Sequence, residues 1–125
     1  GPPGYDDGTF LRRYGLDPRS SAYRIQAGDT TVGAVILWIN PRTHVNFLGN
    51  IFIDPSLQNQ GVGLRIWQAV EAMVPDTRVW RTETPGFSRR NHNFYVNKCG
   101  FHVIRIDQPK DPDHRSFILE KRMPR

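Results

Sequence analysis

The stretch Gln58-Asn59-Gln60-Gly61-Val62-Gly63 constrains what this chain can become more than any other. It lies between an apolar run, Asn50-Ile51-Phe52-Ile53-Asp54-Pro55, and a segment whose apolar residues recur at helical spacing from about Gly61. Strand, glycine loop and helix in that order put a helix N-terminus at the end of a sheet strand. The first amides of a helix lack intrahelical partners and carry the positive end of its dipole. Glycines that let an anion reach the backbone therefore make a phosphate cradle there. Glycine also serves any turn that needs positive φ, so Gly61 and Gly63 alone do not name a ligand. Two phosphate motifs are excluded. Leu64 and Arg65 follow Gly63 where a Walker loop has Lys and Ser/Thr, and Ile66 stands where the dinucleotide fingerprint needs its third glycine.

The rest of the chain supplies a sheet for that loop. Ala22 to Ala27 alternates apolar and polar as a half-exposed strand does, and Gly28-Asp29 turns the chain. Val32 to Ile39 is continuously apolar, as expected of a central strand covered on both faces, and Asn40-Pro41 ends it. A third strand, about Val45 to Ile53, runs up to the glycine loop, completing an antiparallel meander. Val62, Ile66, Val70 and Met73 form one face of a helix from Gly61 to Val74, stopped by Pro75. Thr77 to Thr82 reads as a parallel strand, because the helix provides the crossover that parallel pairing requires, and Thr84 to Phe87 reads as a turn. Ser88 caps a second helix running to about Lys98, with Gly100 suited to end it. Strands at Phe101 to Asp107 and Arg115 to Lys121 close the chain. Ahead of all this, Thr9 to Tyr14 could form one short helix capped by Thr9. The order β-β-β-α-β-α-β-β defines a mixed, mostly antiparallel sheet with flanking helices, an α/β (α+β) fold.

Composition adds mainly exclusions. The 125 residues suffice for one domain with a real core, expected over residues 5–125, with Gly1-Pro2-Pro3-Gly4 resembling the scar of a cleaved tag. A single cysteine, Cys99, precludes an internal disulfide and favours a reducing, cytoplasmic setting. No apolar run is long enough to span a bilayer. The net charge of +5 invites a nucleic-acid reading, but the basic residues are scattered and no nucleic-acid motif is present. A polyanionic small ligand would gain equally from that field. Cys99 and His102 are spaced like half of a zinc site that has no second half, so no metal is expected. Trp38, Trp67 and Trp80 fit core positions better than stacking platforms.

Gln58, Gly61 and Gly63 occupy the fixed places of the Arg/Gln-x-x-Gly-x-Gly/Ala signature of the GNAT N-acetyltransferase superfamily. Asn91 with Phe94-Tyr95-Val96-Asn97-Lys98-Cys99-Gly100-Phe101 resembles the family's later motif, Asn followed by Phe-Tyr and Gly-Phe. The resemblance covers roughly residues 20 to 122. It implies that the strands before and after the first helix splay apart into a slot for acetyl-CoA. The backbone of Ile51, Phe52 and Ile53 would then meet the pantetheine arm, and amides from Gln60 to Leu64, Val62 among them, the pyrophosphate. Gln58 and Asn59 would shape or touch the same site, and Asn91 the coenzyme arm. Tyr95 has the motif place of the general acid, while Arg89 and Arg90 could reach the adenosine 3′-phosphate or simply face solvent.

The general base departs from the family pattern. Phe47 stands where many members carry a glutamate, and no carboxylate lies between His44 and Ile53. Glu83 and His44 are the candidate bases, directly or through water; an amine arriving deprotonated is the third case. The family's N-terminal wall is also shortened, which leaves the acceptor side open or completed by a second subunit of a homodimer. The resemblance therefore implies an N-acetyltransferase acting in a ternary complex on an amine-bearing small molecule, peptide or protein. The alternative is a non-catalytic acyl-CoA-binding or regulatory module that kept the cradle and lost the acceptor site.

Overall fold

A computed structural model of the chain describes residues 9–14, as backbone, and 20–124 in full. The expected tag remnant at residues 1–4 lies outside them. The described strands form one sheet in the order β1-β2-β3-β4-β5-β7-β6. They are β1 (Thr9–Tyr14), β2 (Ser21–Ala27), β3 (Thr30–Trp38), β4 (Val45–Ile53), β5 (Val79–Pro85), β6 (His102–Asp107) and β7 (Ser116–Arg122). Helix α1 (Val62–Met73) crosses from β4 to β5, and α2 (Arg89–Asn93) runs directly into a π-helical turn, Phe94–Cys99. All neighbours pair antiparallel except β4 and β5, which α1 connects and which are parallel.

Three expectations need correction. Thr9–Tyr14 is a strand, paired with β2 from Thr9↔Ala27 to Tyr14↔Ala22, and not a short helix. Six residues do not sustain a helix alone, whereas β2 offers them a full row of backbone partners, and Thr9, Phe10 and Tyr14 suit a pleated surface. β3 is central but covered well on one face only: Val35 and Leu37 are fully buried, Ala34 and Ile36 half-buried, and Trp38 is exposed. Trp38 is therefore not a core residue; it packs edge-on to Phe47 on the outer face. The expected turn at Thr84 begins later, because β5 extends through Pro85 by pairing with β7.

The core lies between the sheet and α1. Ile66, Trp67 and Val70 point inward from the helix against Leu37, Leu48, Trp80, Phe101 and Leu119, all at most 2% exposed. Trp67 meets Trp80 edge-on at 5.2 Å between ring centres. A buried Asn46 ties the two loops at the far end of β4. Its amide donates to Thr77 Oγ1 at 2.8 Å, and its Oδ1 accepts from the Asn40 N–H at 2.7 Å. Lys121 of β7 and Glu71 of α1 form an ion pair at 2.7 Å that locks the helix over the sheet.

Candidate active site

β4 and β5 pair only from Val45↔Val79 to Leu48↔Thr82. Beyond that point β4 stays with β3 and β5 with β7, so the two strands diverge as a fork. At its apex the buried Thr82 hydroxyl donates to the Leu48 carbonyl at 2.8 Å. The next residue on β4, Gly49, is bulged out: Leu48 pairs with Leu37 and Asn50 with Ile36, leaving Gly49 without an opposite. A side chain there would overlap the Trp38 indole, which requires glycine. Fork and bulge together leave backbone groups of Gly49 to Ile53 facing an opening in the sheet.

The loop after β4 is built to end at a bare helix start. The Asp54 carboxylate accepts from both the backbone and the hydroxyl of Ser56, which closes a 3₁₀ turn over Pro55–Leu57 and holds the Asp54 pKa below its usual value. Gln60 Nε2 donates to the Ser56 carbonyl at 3.3 Å. Asn59 and Gly61 then take left-handed conformations, with φ of 64° and 75°. No side chain caps α1. Its first internal bond runs from Arg65 N–H to Gly61 O, so the amides of Val62, Gly63 and Leu64 have no partner within the helix.

Those amides border a cavity of about 340 Å³ on the helix side of the fork. Eleven residues singled out from the sequence line it together: Ile51, Ile53, Gln58, Asn59, Gly61, Val62, Gly63, Leu64, Arg90, Asn91 and Tyr95. Gly63 is needed for packing, since a Cβ would sit 2.9 Å from Ile53 Cδ1 and 3.0 Å from Phe94 Cε1. Among the described residues no carboxylate lines the cavity, whereas Arg90 and Lys98 do, so its electrostatics favour an anion. Arg90 reaches across the mouth to Gln58 Oε1 at 2.9 Å, linking α2 to the glycine loop. Tyr95 is 6% exposed; burial raises its phenol pKa, and a hydrogen bond with the Thr82 side chain opposes that shift.

Four sequence candidates are not in this cavity. Phe52 points out of the opposite face, 49% exposed, because successive residues of a strand alternate. The Gln60 side chain is spent on the turn. His44 is at the start of β4, nine residues or roughly 30 Å from Ile53 at strand spacing, and faces Asp76 at 3.2 Å; the fold removes it from the fork. Glu83 is at the fork, but on the other face from Tyr95. Alternation buries Trp80, Thr82 and Thr84 under the helices and turns Glu83 and Pro85 outward. There Glu83 accepts from Ser116 Oγ at 2.7 Å and borders a second cavity of about 500 Å³ with Phe47, Gly49, Pro85 and Phe87.

Sequence reasoning missed Asn50, Leu57, Asn93, Phe94 and Lys98, which also line the first cavity. The spacing 91, 94, 95, 98 is a helical stripe and could have pointed to two of them.

This arrangement of fork, glycine loop and helix has counterparts among known proteins. The model of the Acetyltransferase (GNAT) family matches residues 2–101, and this chain belongs to that family. It is 45% identical over 89 residues to the uncharacterized protein YrkN of Bacillus subtilis, a stretch covering 71% of this chain and 48% of YrkN. The chain thus spans about half the length of that relative. In fold it is similar to a Bacillus subtilis acetyltransferase in complex with CoA, with a TM-score of 0.74 at 18% identity over 93% of this chain and 99% of the other. It is likewise similar to the ribosomal-protein-S18-alanine N-acetyltransferase of Escherichia coli, with a TM-score of 0.73 at 16% identity over 88% and 73% of the two chains. Among the described residues no helix is long and apolar enough to cross a membrane.

Proposed function

We propose that this chain is an acetyl-CoA-dependent N-acetyltransferase that transfers the acetyl group directly to a primary amine, with both substrates bound at once. The observation that carries the reading is the uncapped start of α1: three amides without a helical partner open onto a cavity lined, among the described residues, by two cations and no carboxylate. That is the chemistry a diphosphate requires. Acetyl-CoA, when bound, supplies an acyl group activated as a thioester.

The chain's own groups have the following roles on this reading. The amides of Val62, Gly63 and Leu64, with Arg90 and Lys98, hold the phosphates. Backbone groups of Asn50 to Ile53, freed by the fork, pair with the pantetheine amides, and Asn91 holds the arm from the opposite wall. Tyr95 gives its proton to the departing sulfur. The amine enters from the outer cavity, and Glu83 takes its proton at the fork. Thr82 and Glu83 are consecutive, so one strand presents the leaving-group side on one face and the acceptor side on the other. Proximity within the fork supplies much of the rate. Cys99 is no covalent nucleophile: burial drives its thiol pKa up to about 12, leaving almost no thiolate.

The test is thermal unfolding with added coenzyme A, followed by thiol release with a panel of amines and peptides. Coenzyme at 100 times its Kd raises stability by about 2.7 kcal/mol. A melting temperature indifferent to millimolar coenzyme refutes the cofactor assignment. Stabilisation without turnover on any amine favours the non-catalytic alternative.

A further inference from the structure

The outer cavity, where the amine enters on the reading above, holds an arginine that the fold fixes and does not neutralise. Arg115 lies just ahead of β7 and lines that cavity. Its N–H donates to the Asp111 carbonyl at 2.7 Å. Its own carbonyl accepts from the Gly86 N–H at 2.8 Å, one position past the last strand pair, Pro85↔Ser116. The side-chain stem then runs over Gly86, where a Cβ would sit 2.9 Å from Arg115 Cγ and 3.2 Å from Cδ. Backbone and stem are therefore both held.

The protein leaves the guanidinium unmatched. Its Nε is buried without a hydrogen bond, and among the described residues no ion pair joins it to Glu83, Asp107 or Asp113, the carboxylates of the same cavity. Glu83 accepts from Ser116 Oγ, and Asp107 is paired with Arg105 Nε at 2.7 Å. A carboxylate entering the cavity would supply the missing partner, and the planar fork of guanidinium donors matches a carboxylate in shape as well as charge. The walls add apolar surface. Phe87 is 73% exposed, more than any other large hydrophobic residue described, and it lines the cavity with Phe47 and Pro85.

We propose that the acceptor is a free amino acid with an apolar side chain, its carboxylate held by Arg115 and its amine turned to Glu83. This rests on the N-acetyltransferase reading of the fork. Glu83 pairs with Ile118, three positions beyond Arg115, so their backbones are separated by roughly 10 Å along the strand direction. Two long side chains and one small amino acid span that gap. In the transfer the amine nitrogen bonds to the acetyl carbon as the C–S bond breaks. The amine proton goes to Glu83, the Tyr95 proton goes to sulfur, and the carboxylate stays ionised on Arg115. A diamine would set a second cation against Arg115, and a decarboxylated amine would leave the guanidinium unmatched.

The experiment measures thiol release from acetyl-CoA with phenylalanine, phenylalaninamide, phenethylamine and putrescine in wild type, Arg115→Met and Arg115→Lys. Methionine keeps an apolar stem without the charge; lysine keeps the charge. In wild type, kcat/KM for phenylalanine should exceed that for the other three amines by about tenfold or more, the size of a hydrogen bond to a charged group. Arg115→Met should erase that preference by raising the KM for phenylalanine, with circular dichroism confirming the fold, and Arg115→Lys should keep part of it. Equal or better use of phenylalaninamide or putrescine by wild type, or a preference that survives in Arg115→Met, would overturn the proposal. A second readout does not need turnover. In protein saturated with coenzyme A, the Arg115 Nε–H signal, assigned by its loss in Arg115→Lys, should shift on adding phenylalanine and not phenylalaninamide. That shift without turnover of any amine refutes the transferase reading and upholds the carboxylate site; turnover without the shift refutes the carboxylate site alone.

Discussion

Gly63→Ala asks whether the glycine loop is shaped by packing or by backbone conformation. Gly63 lies in the first turn of α1, has an ordinary helical φ, and should by propensity gain up to about 1 kcal/mol from a methyl group. The space forbids it. The added carbon would be 2.9 Å from Ile53 Cδ1 and 3.0 Å from Phe94 Cε1, against about 3.5–4.0 Å for relaxed carbon contacts. Both neighbours must retreat by several tenths of an ångström, and an overpacked site of this kind costs about 1–3 kcal/mol. The net loss is then up to about 2 kcal/mol, because the propensity gain offsets only part of the clash. Ile53 and Phe94 are also cavity walls, so their displacement should weaken coenzyme A binding by about tenfold, or about 1.4 kcal/mol.

Gly61→Ala is the control. Nothing lies within 4 Å of its Cβ, but its φ of 75° penalises any side chain by about 1–2 kcal/mol. Thermal melts should show both variants destabilised, and calorimetric titration should show coenzyme affinity falling further in Gly63→Ala. If Gly63→Ala melts and binds like wild type, the packing account of the loop is wrong.

Asn46→Ala should cost about 1–3 kcal/mol in chemical denaturation, since the Asn40 amide and Thr77 hydroxyl lose a buried partner; no change would mean solvent replaces it freely. Cys99, with its pKa near 12 against a reference of 9.0, should hold about a thousandfold less thiolate at pH 8 than an ordinary cysteine. Its alkylation by iodoacetamide should therefore be slow in the native protein and fast in denaturant, and equal rates would contradict its burial. The Asp54 pKa is lowered by its bonds to Ser56, so the 3₁₀ turn is supported at neutral pH and loosens as pH falls below the ordinary value of 3.8. Amide exchange at Ser56 and Leu57, corrected for intrinsic rates, should rise over that window, and a flat profile would remove Asp54 from the turn.

Much of this was legible because short-range chemistry controls it. Gly61, Pro75, Ser88 and Gly100 punctuate the chain as their backbone preferences dictate, with Ser88 Oγ accepting from Asn91 N–H and Gly100 left-handed at φ 90°. The glycine loop and Tyr95 meet because β4-α1-β5 is a crossover that can close in one hand only. What failed depends on tertiary context. Thr9–Tyr14 is strand because β2 had an open edge, which no local pattern announces. Trp38 is exposed because Gly49 leaves room for it on the outer face, and that pairing depends on a bulge whose register is set by β3. His44 and Glu83 were both candidates in sequence, and the fork separates them: one lies at its closed end, the other where it opens.

The central claim is that unpartnered amides at the start of α1 grip the phosphates of coenzyme A. Titrating the ¹⁵N-labelled protein with coenzyme A tests it most directly. The account expects saturable shifts concentrated at Gly61 to Leu64, at Asn50 to Ile53 and at Tyr95, with β1 and the His44 loop unmoved. Shifts absent from Gly61 to Leu64 at saturation, or confined to another surface, would contradict it.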